Sequence, residues 1–211
     1  KKLINQKILV FFQRVCNLYL MTELVDLQEL QQDIDKTDIN AITKVMKSDF
    51  LTTGPMVERF EKKLASYANS KYAVVCSNGS AALLLSYLSL GMDNKTDCII
   101  PSLNFAAAAN AAKILGANLI FSDSCPESGL VRSKDLLEAL TKRKYSKVFF
   151  VPVHMNGQAV NLEKLSQICR KKNVNIIEDA SHALGTKFKK NDGRTFMIGS
   201  CYYSQMTTFS F

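Results

Sequence analysis

Four positions in this chain combine residue type and placement in a way that supports chemistry, and the first is Asp179. In the segment 174–185, VNIIEDASHALG, a partly β-branched apolar run ends in that carboxylate. Such a run reads as a buried parallel strand, and ligands bind beyond the carboxyl ends of parallel strands. A carboxylate placed there can hold a cationic group of a cofactor. The plainer reading is an aspartate that caps the following turn, and position alone favours it.

The remaining three positions change that balance. The segment 77–85, SNGSAALLL, follows an expected strand, YAVVCS at 72–77. A strand, a small polar turn and an apolar helix leave the backbone N–H groups of Gly79, Ser80 and Ala81 at a helix N-terminus, where donors and dipole together bind phosphate. Taken alone, an ordinary capped helix explains these residues equally well. Further on, IIPSLNFAAAANAA sets Phe105 just beyond a strand, at the start of an Ala-rich helix. An aromatic there can cover a planar ring, although a lone Phe more often belongs to a core. The chain ends MTTFSF, which places Ser210 on a terminal strand. A phosphate cup, a ring-stacking aromatic, an aspartate for a ring nitrogen and that serine are the parts of a pyridoxal phosphate site.

The elements that must position these groups alternate from about residue 37. Ile39, Ile42, Val45 and Met46 form one helical face, and Val57, Phe60, Leu64 and Tyr67 another, entered through Gly54 and Pro55. Strands are expected at 72–77, 97–100, 117–121, 147–153, 174–179 and 206–211. A helix at 161–172 has Asn161 as its cap, Leu162, Leu165, Ile168 and Cys169 facing inward, and Arg170, Lys171 and Lys172 at its negative end. This alternation specifies an α/β fold, a mostly parallel sheet with helices on both faces.

Composition removes other classes. With 211 residues and 47% apolar content, the chain can bury the core of one α/β domain. Its net charge of +8 is half concentrated in Lys1, Lys2, Lys7 and Arg14. No basic stripe interleaves with stacking aromatics, which argues against nucleic acid and leaves an anionic small substrate compatible. The six cysteines show neither C-x-x-C spacing nor clustering with the two histidines, so no metal site is expected and a reduced, cytoplasmic protein is the default. Gln13, Arg14 and Asn17 interrupt the apolar run at 8–21, against a signal peptide or a membrane span.

At this point the chain resembles a known family, the DegT/DnrJ/EryC1/StrS sugar aminotransferases, which have the aspartate aminotransferase-like (type I) pyridoxal phosphate fold. The resemblance runs from about Gln32 to Phe211. It rests on SDFLTTGP (48–55), SNGSAALL (77–84), PSLNFAAAAN (101–110), PVHMNGQ (152–158), EDASHALG (178–185) and GSCYYSQMTTFSF (199–211). The first, fourth and last look most like the branch that aminates C4 of a UDP-linked 4-keto-6-deoxy-N-acetylhexosamine on the route to pseudaminic acid. The resemblance implies that Gly79, Ser80, Ala81 and Ser210 hold the cofactor phosphate or lie beside it, that Phe105 stacks on the pyridine ring, and that Asp179 pairs with its nitrogen. It sets His182 near the ring and its 3-oxygen, a place a plain core histidine fits as well. Asp49, Phe50, Leu51 and Thr52 would touch the sugar nucleotide, and His154 is read as structural. The implied partners are the UDP-sugar and an amino donor, L-glutamate, with full-length relatives forming homodimers whose active sites lie at the dimer interface.

Two departures qualify the resemblance. The family's F-S-F strand continues H-x-x-K, whose lysine forms the Schiff base, and no lysine of this sequence stands at that position relative to Ser210. The expectation is therefore a truncated large domain with no catalytic residue of its own, lacking the small C-terminal domain. Residues 1–31 are expected to be an unmatched leader, open to being non-native, with residues 32–211 the N-terminal part of the large domain. Whether the chain turns over is left open, and the alternative is an inactive homologue that binds sugar nucleotide or pairs with an intact subunit. A nicotinamide-dependent sugar enzyme would need a glycine turn of the G-x-G-x-x-G kind after its first strand, and the nine glycines form no such array.

Overall fold

The computed structural model describes residues 34–211, so the expected leader, with its four basic residues and Cys16, lies outside the described residues. The first two helices follow from their caps. Helix α1 (Lys36–Met46) starts at Asp35, whose side chain accepts from the amides of Thr37 and Asp38 while Asp38 reaches back to the Asp35 amide. Helix α2 (Pro55–Ala68) opens with Pro55 in its first turn, where a missing N–H costs nothing, and ends on Asn69 in the left-handed region. Helix α3 (Gly79–Ser89) is capped by Asn78.

From there strands and helices alternate: β1 (Thr96–Pro101), α4 (Ala107–Ile114), β2 (Asn118–Ser122), α5 (Ser133–Thr141), β3 (Lys147–Phe150), α6 (Leu162–Lys172) and β4 (Val174–Asp179). A short antiparallel hairpin, β5 (Lys187–Lys189) with β6 (Thr195–Met197), interrupts the pattern before β7 (Met206–Thr208). The main sheet has the order β2-β1-β3-β4-β7, and every pairing in it is parallel. No helix among the described residues is long and apolar enough to cross a membrane.

Strand side chains point alternately to opposite faces, and the sheet sorts them into two cores. Ile99, Val148, Phe150 and Ile176 pack with Leu136, Ala139 and Leu140 of α5 and Leu165 and Cys169 of α6. Cys98, Ile100, Phe149, Val151 and Ile177 pack on the other face with Leu83 and Tyr87 of α3 and Ala108, Ala111 and Ala112 of α4. The chain is thus α/β with helices on both faces, as its alternation predicts. Burying both faces explains why β1, β3 and β4 read as nearly continuous apolar runs.

The edges differ from expectation. Residues 72–77 form no strand, and Tyr72 and Val74 stand exposed. β-Branched residues do not make a strand without a neighbouring backbone to bond, and here the Val75 amide donates to the Glu61 side chain instead (2.9 Å). The expected strand at 206–211 is regular only over Met206–Thr208, and the ladder of 147–153 stops at Phe150, with Val153 forming a lone bridge to Asp179.

Candidate active site

Strand β4 delivers Asp179 to the carboxyl end of the sheet, where it forms the last pair of the ladder with β7, opposite Thr208. The carboxylate is buried, and one of its oxygens is already used: Oδ1 accepts from the Ser181 hydroxyl (2.7 Å) and the Ser181 amide (3.2 Å). That turn is the cap the plainer reading expected. It occupies one oxygen only, and no described residue donates to Oδ2, so a buried carboxylate keeps one acceptor for a cationic N–H. The backbone around it is fixed, with the Asp179 amide donating to Pro152 O (2.9 Å) and Asp179 O accepting from the His154 amide (3.0 Å). Its charge reaches the second core: the Tyr87 phenol is pushed well above its ordinary value by burial first, then by Cys98 and Asp179. Tyr87 itself donates to Ala108 O (3.3 Å), which joins α3 to α4 just after Phe105.

The other end of the candidate site is the start of α3. A methyl group on Gly79 would lie 3.1 Å from both Cβ and Oγ of Ser210, so the two residues that sequence placed at the phosphate do meet. The amides of Gly79 and Ser80 have no acceptor among the described residues, as the first turn of a helix requires. Ala81 departs from expectation. Its amide is taken by Asn78 Oδ1 (2.8 Å) and is not available to a ligand unless Asn78 turns away. The cup therefore offers two free amides and a serine hydroxyl rather than three amides and a serine.

The remaining expected residues are less tightly gathered. Phe105 lies between β1 and α4, half open to solvent, with its ring free to be covered. His182 is exposed, three residues past Asp179. Asp49, Phe50, Leu51 and Thr52 occupy an exposed bend between α1 and α2, and no hydrogen bond joins them to the other candidates. A groove of about 620 Å³ runs along β7, lined at one end by Asn78, Gly79 and Ser210 and farther along by Val74, Leu85 and Met206. Asp179, Phe105 and His182 do not line it.

Sequence reasoning missed Ser181 and Tyr87. Ser181 had a signal, since a serine two residues after an aspartate is the pattern of a side-chain turn. Tyr87 had none, because its bond to Ala108 O depends on how α3 packs against α4.

Gly79, Ser80 and Ser210 thus offer donors that an anion could use, and Asp179 offers an acceptor that a cationic N–H could use. The chain is 39% identical over 158 residues to the UDP-4-amino-4,6-dideoxy-N-acetyl-beta-L-altrosamine transaminase of Campylobacter jejuni strain 81-176, covering 75% of this chain and 42% of the relative. It is 31% identical over 147 residues to the 3-oxo-glucose-6-phosphate:glutamate aminotransferase of Bacillus subtilis, covering 70% of this chain and 33% of that protein. The chain therefore spans less than half the length of these relatives. Among solved structures, the Helicobacter pylori aminotransferase PseC, involved in pseudaminic acid biosynthesis, superposes with a TM-score of 0.73 at 26% identity, over 84% of this chain and 46% of that one. The Bacillus subtilis NtdA structure with bound cofactor PMP superposes with a TM-score of 0.70 at 28% identity, over 82% of this chain and 37% of that one. The DegT/DnrJ/EryC1/StrS aminotransferase model matches residues 32–211, from before the cap of α1 to beyond Ser210, and the chain belongs to that family.

Proposed function

We propose that this chain carries the cofactor cradle of a pyridoxal phosphate-dependent nucleotide-sugar aminotransferase, acting on C4 of a UDP-linked 4-keto-6-deoxy-N-acetylhexosamine of the pseudaminic acid route with L-glutamate as donor. The observation that carries it is the free Oδ2 of a buried Asp179 at the end of β4, in a chain 39% identical to the altrosamine transaminase. The cradle fits the cofactor in two further respects. Gly79 and Ser210 approach so closely that a Cβ on Gly79 would lie 3.1 Å from Ser210 Oγ, which sets the serine hydroxyl beside the start of α3, and the free amides of Gly79 and Ser80 sit at the positive end of a helix dipole.

Pyridoxal phosphate, when bound, supplies an electron sink for amino transfer. Asp179 would hold a proton on the ring nitrogen, with Ser181 fixing the carboxylate so that Oδ2 keeps its aim. Gly79, Ser80 and Ser210 would bind the phosphate, and Phe105 would cover one face of the ring and exclude water. His182 would stand near the 3-oxygen. Residues 49–52 would meet the sugar nucleotide in a pocket completed by a second subunit, consistent with their exposure here. The alternative reading is a sugar-nucleotide-binding or subunit-pairing homologue without turnover.

The test uses pyridoxamine 5′-phosphate, which has no aldehyde and so forms no imines with surface lysines. The 211-residue chain should bind it and shift its absorption, and Asp179→Asn should lose most of that affinity and the shift. Unchanged binding by Asp179→Asn would sink the assignment of the ring partner. Mass analysis for a 4-amino product from the UDP-4-keto sugar and L-glutamate then separates the readings: binding without product favours the second.

A further inference from the structure

Behind Asp179, on the opposite face of β4, lies a polar cluster that the cofactor site does not use. Glu178 is only 2% exposed and His154 is fully buried. His154 Nδ1 accepts from the Val160 amide (3.1 Å), which leaves the ring proton on Nε2 to be donated to Glu178 Oε2 (2.9 Å). The Ser204 hydroxyl donates to the other carboxylate oxygen, Oε1. No lysine or arginine pairs with Glu178 among the described residues.

A buried carboxylate held by two neutral donors is a costly way to fill a core, and apolar residues of the same volume usually stabilise as well or better. What directional bonds supply instead is register. The three partners come from three segments that converge on the candidate site: the stretch after β3, β4 itself, and the turn that feeds β7. Glu178 and Asp179 lie opposite Thr207 and Thr208, and Ser210 follows two residues on. Thr208 Oγ1 bonds Glu178 O (3.3 Å) and the Ala180 amide bonds Thr208 O (2.8 Å). A slip of β7 against β4 would therefore change the distance from Ser210 to Asp179, which is the distance from phosphate to ring nitrogen. On the other side His154 holds Asp179 through its own backbone amide.

We propose that His154, Glu178 and Ser204 are positioning residues that set the spacing between the phosphate cup and Asp179. This rests on the reading of Asp179 as the ring partner. The cluster matters to a ligand that touches both ends of the site and not to one that touches the cup alone.

That difference gives the experiment. Affinities of the full chain for pyridoxamine 5′-phosphate and for inorganic phosphate are measured by equilibrium dialysis, with thermal midpoints alongside, for Ser204→Ala, Glu178→Leu, Glu178→Gln and Asp179→Asn. Ser204→Ala and Glu178→Leu should weaken pyridoxamine 5′-phosphate about tenfold, the scale of one lost hydrogen bond to a charged group, with phosphate affinity unchanged. Glu178→Gln should restore near-normal binding, because its amide oxygen accepts from His154 while its amide nitrogen donates to the Ser204 oxygen. Ser204→Ala is the mild variant should Glu178→Leu fail to fold. Equal weakening of both ligands would reduce the cluster to a plain structural role and overturn the proposal. Undiminished pyridoxamine 5′-phosphate binding in Ser204→Ala, with binding lost in Asp179→Asn, would overturn it and leave the ring-partner reading standing. Retention by Asp179→Asn, or no binding by the unaltered chain, would remove both.

Discussion

Gly79 has no room for a side chain. A methyl there would lie 3.1 Å from Ser210 Cβ and Oγ, so Ser210 or the start of α3 would have to shift, a steric cost set against alanine's better helix propensity, up to about 1 kcal/mol in a helix interior. The shift would carry the Ser210 hydroxyl away from the free amides of Gly79 and Ser80, and in Gly79→Ala affinity for pyridoxamine 5′-phosphate should drop by roughly tenfold, equivalent to about 1.4 kcal/mol. A tighter complex in the variant would mean that these residues do not hold the phosphate. The sequence set these two residues together only through the family resemblance, because the strand expected before S-N-G-S does not form and the last strand ends at Thr208, short of F-S-F. The loss of the Ala81 amide was readable, since Asn78 is a strong capping residue and competes for that N–H. The turn from Asp179 to Ser181 was readable from the D-x-S spacing, but that it leaves Oδ2 free was not, because that depends on how the surrounding segments pack.

Between elements, the sequence was most legible where both faces of a strand are buried. Strand β4 matches its apolar run at both ends, and α6 starts at its asparagine cap and stops at Asn173 in the left-handed region. It was least legible at 72–77 and at the β5–β6 hairpin. Pairing depends on a partner far away in sequence, and three-residue strands carry too little alternation to be read. Contacts between elements also set the acid response. Asp93, in the turn from α3 to β1, accepts from Lys147 Nζ at the start of β3 (2.9 Å), from Thr96 Oγ1 (2.7 Å) and from the Lys95 amide (2.9 Å). These bonds, Lys147 first, hold its carboxyl down at about 2 against an ordinary 3.8. A carboxylate depressed in the folded state stabilises it above the ordinary value, and the benefit is lost as pH falls toward the folded one. Asp93→Asn should therefore be less stable than the parent at neutral pH, with the gap closing between about 3.8 and about 2. Both partners are partly exposed, so the gap should also narrow in salt. Urea midpoints measured across that range check it, and a gap independent of pH would break the assignment.

For the molecule as a whole, the two cores are filled symmetrically while one flank is not. Among the described residues β7 pairs on one side only, with β4, and beside it runs the groove of about 620 Å³. One wall of it is the unpaired stretch at 72–76, with Val74 81% exposed. An open strand edge next to apolar surface is the arrangement that recruits other chains, and a charge on the edge is the usual remedy. Val74→Lys should accordingly reduce concentration-dependent light scattering of the purified chain. Val74 contributes little burial, so the thermal midpoint should stay within about 0.5 kcal/mol equivalent of the parent. If scattering persists in Val74→Lys, association runs through another surface, and the exposed bend at 49–52, with Phe50 and Leu51 open to solvent, becomes the next place to put a charge.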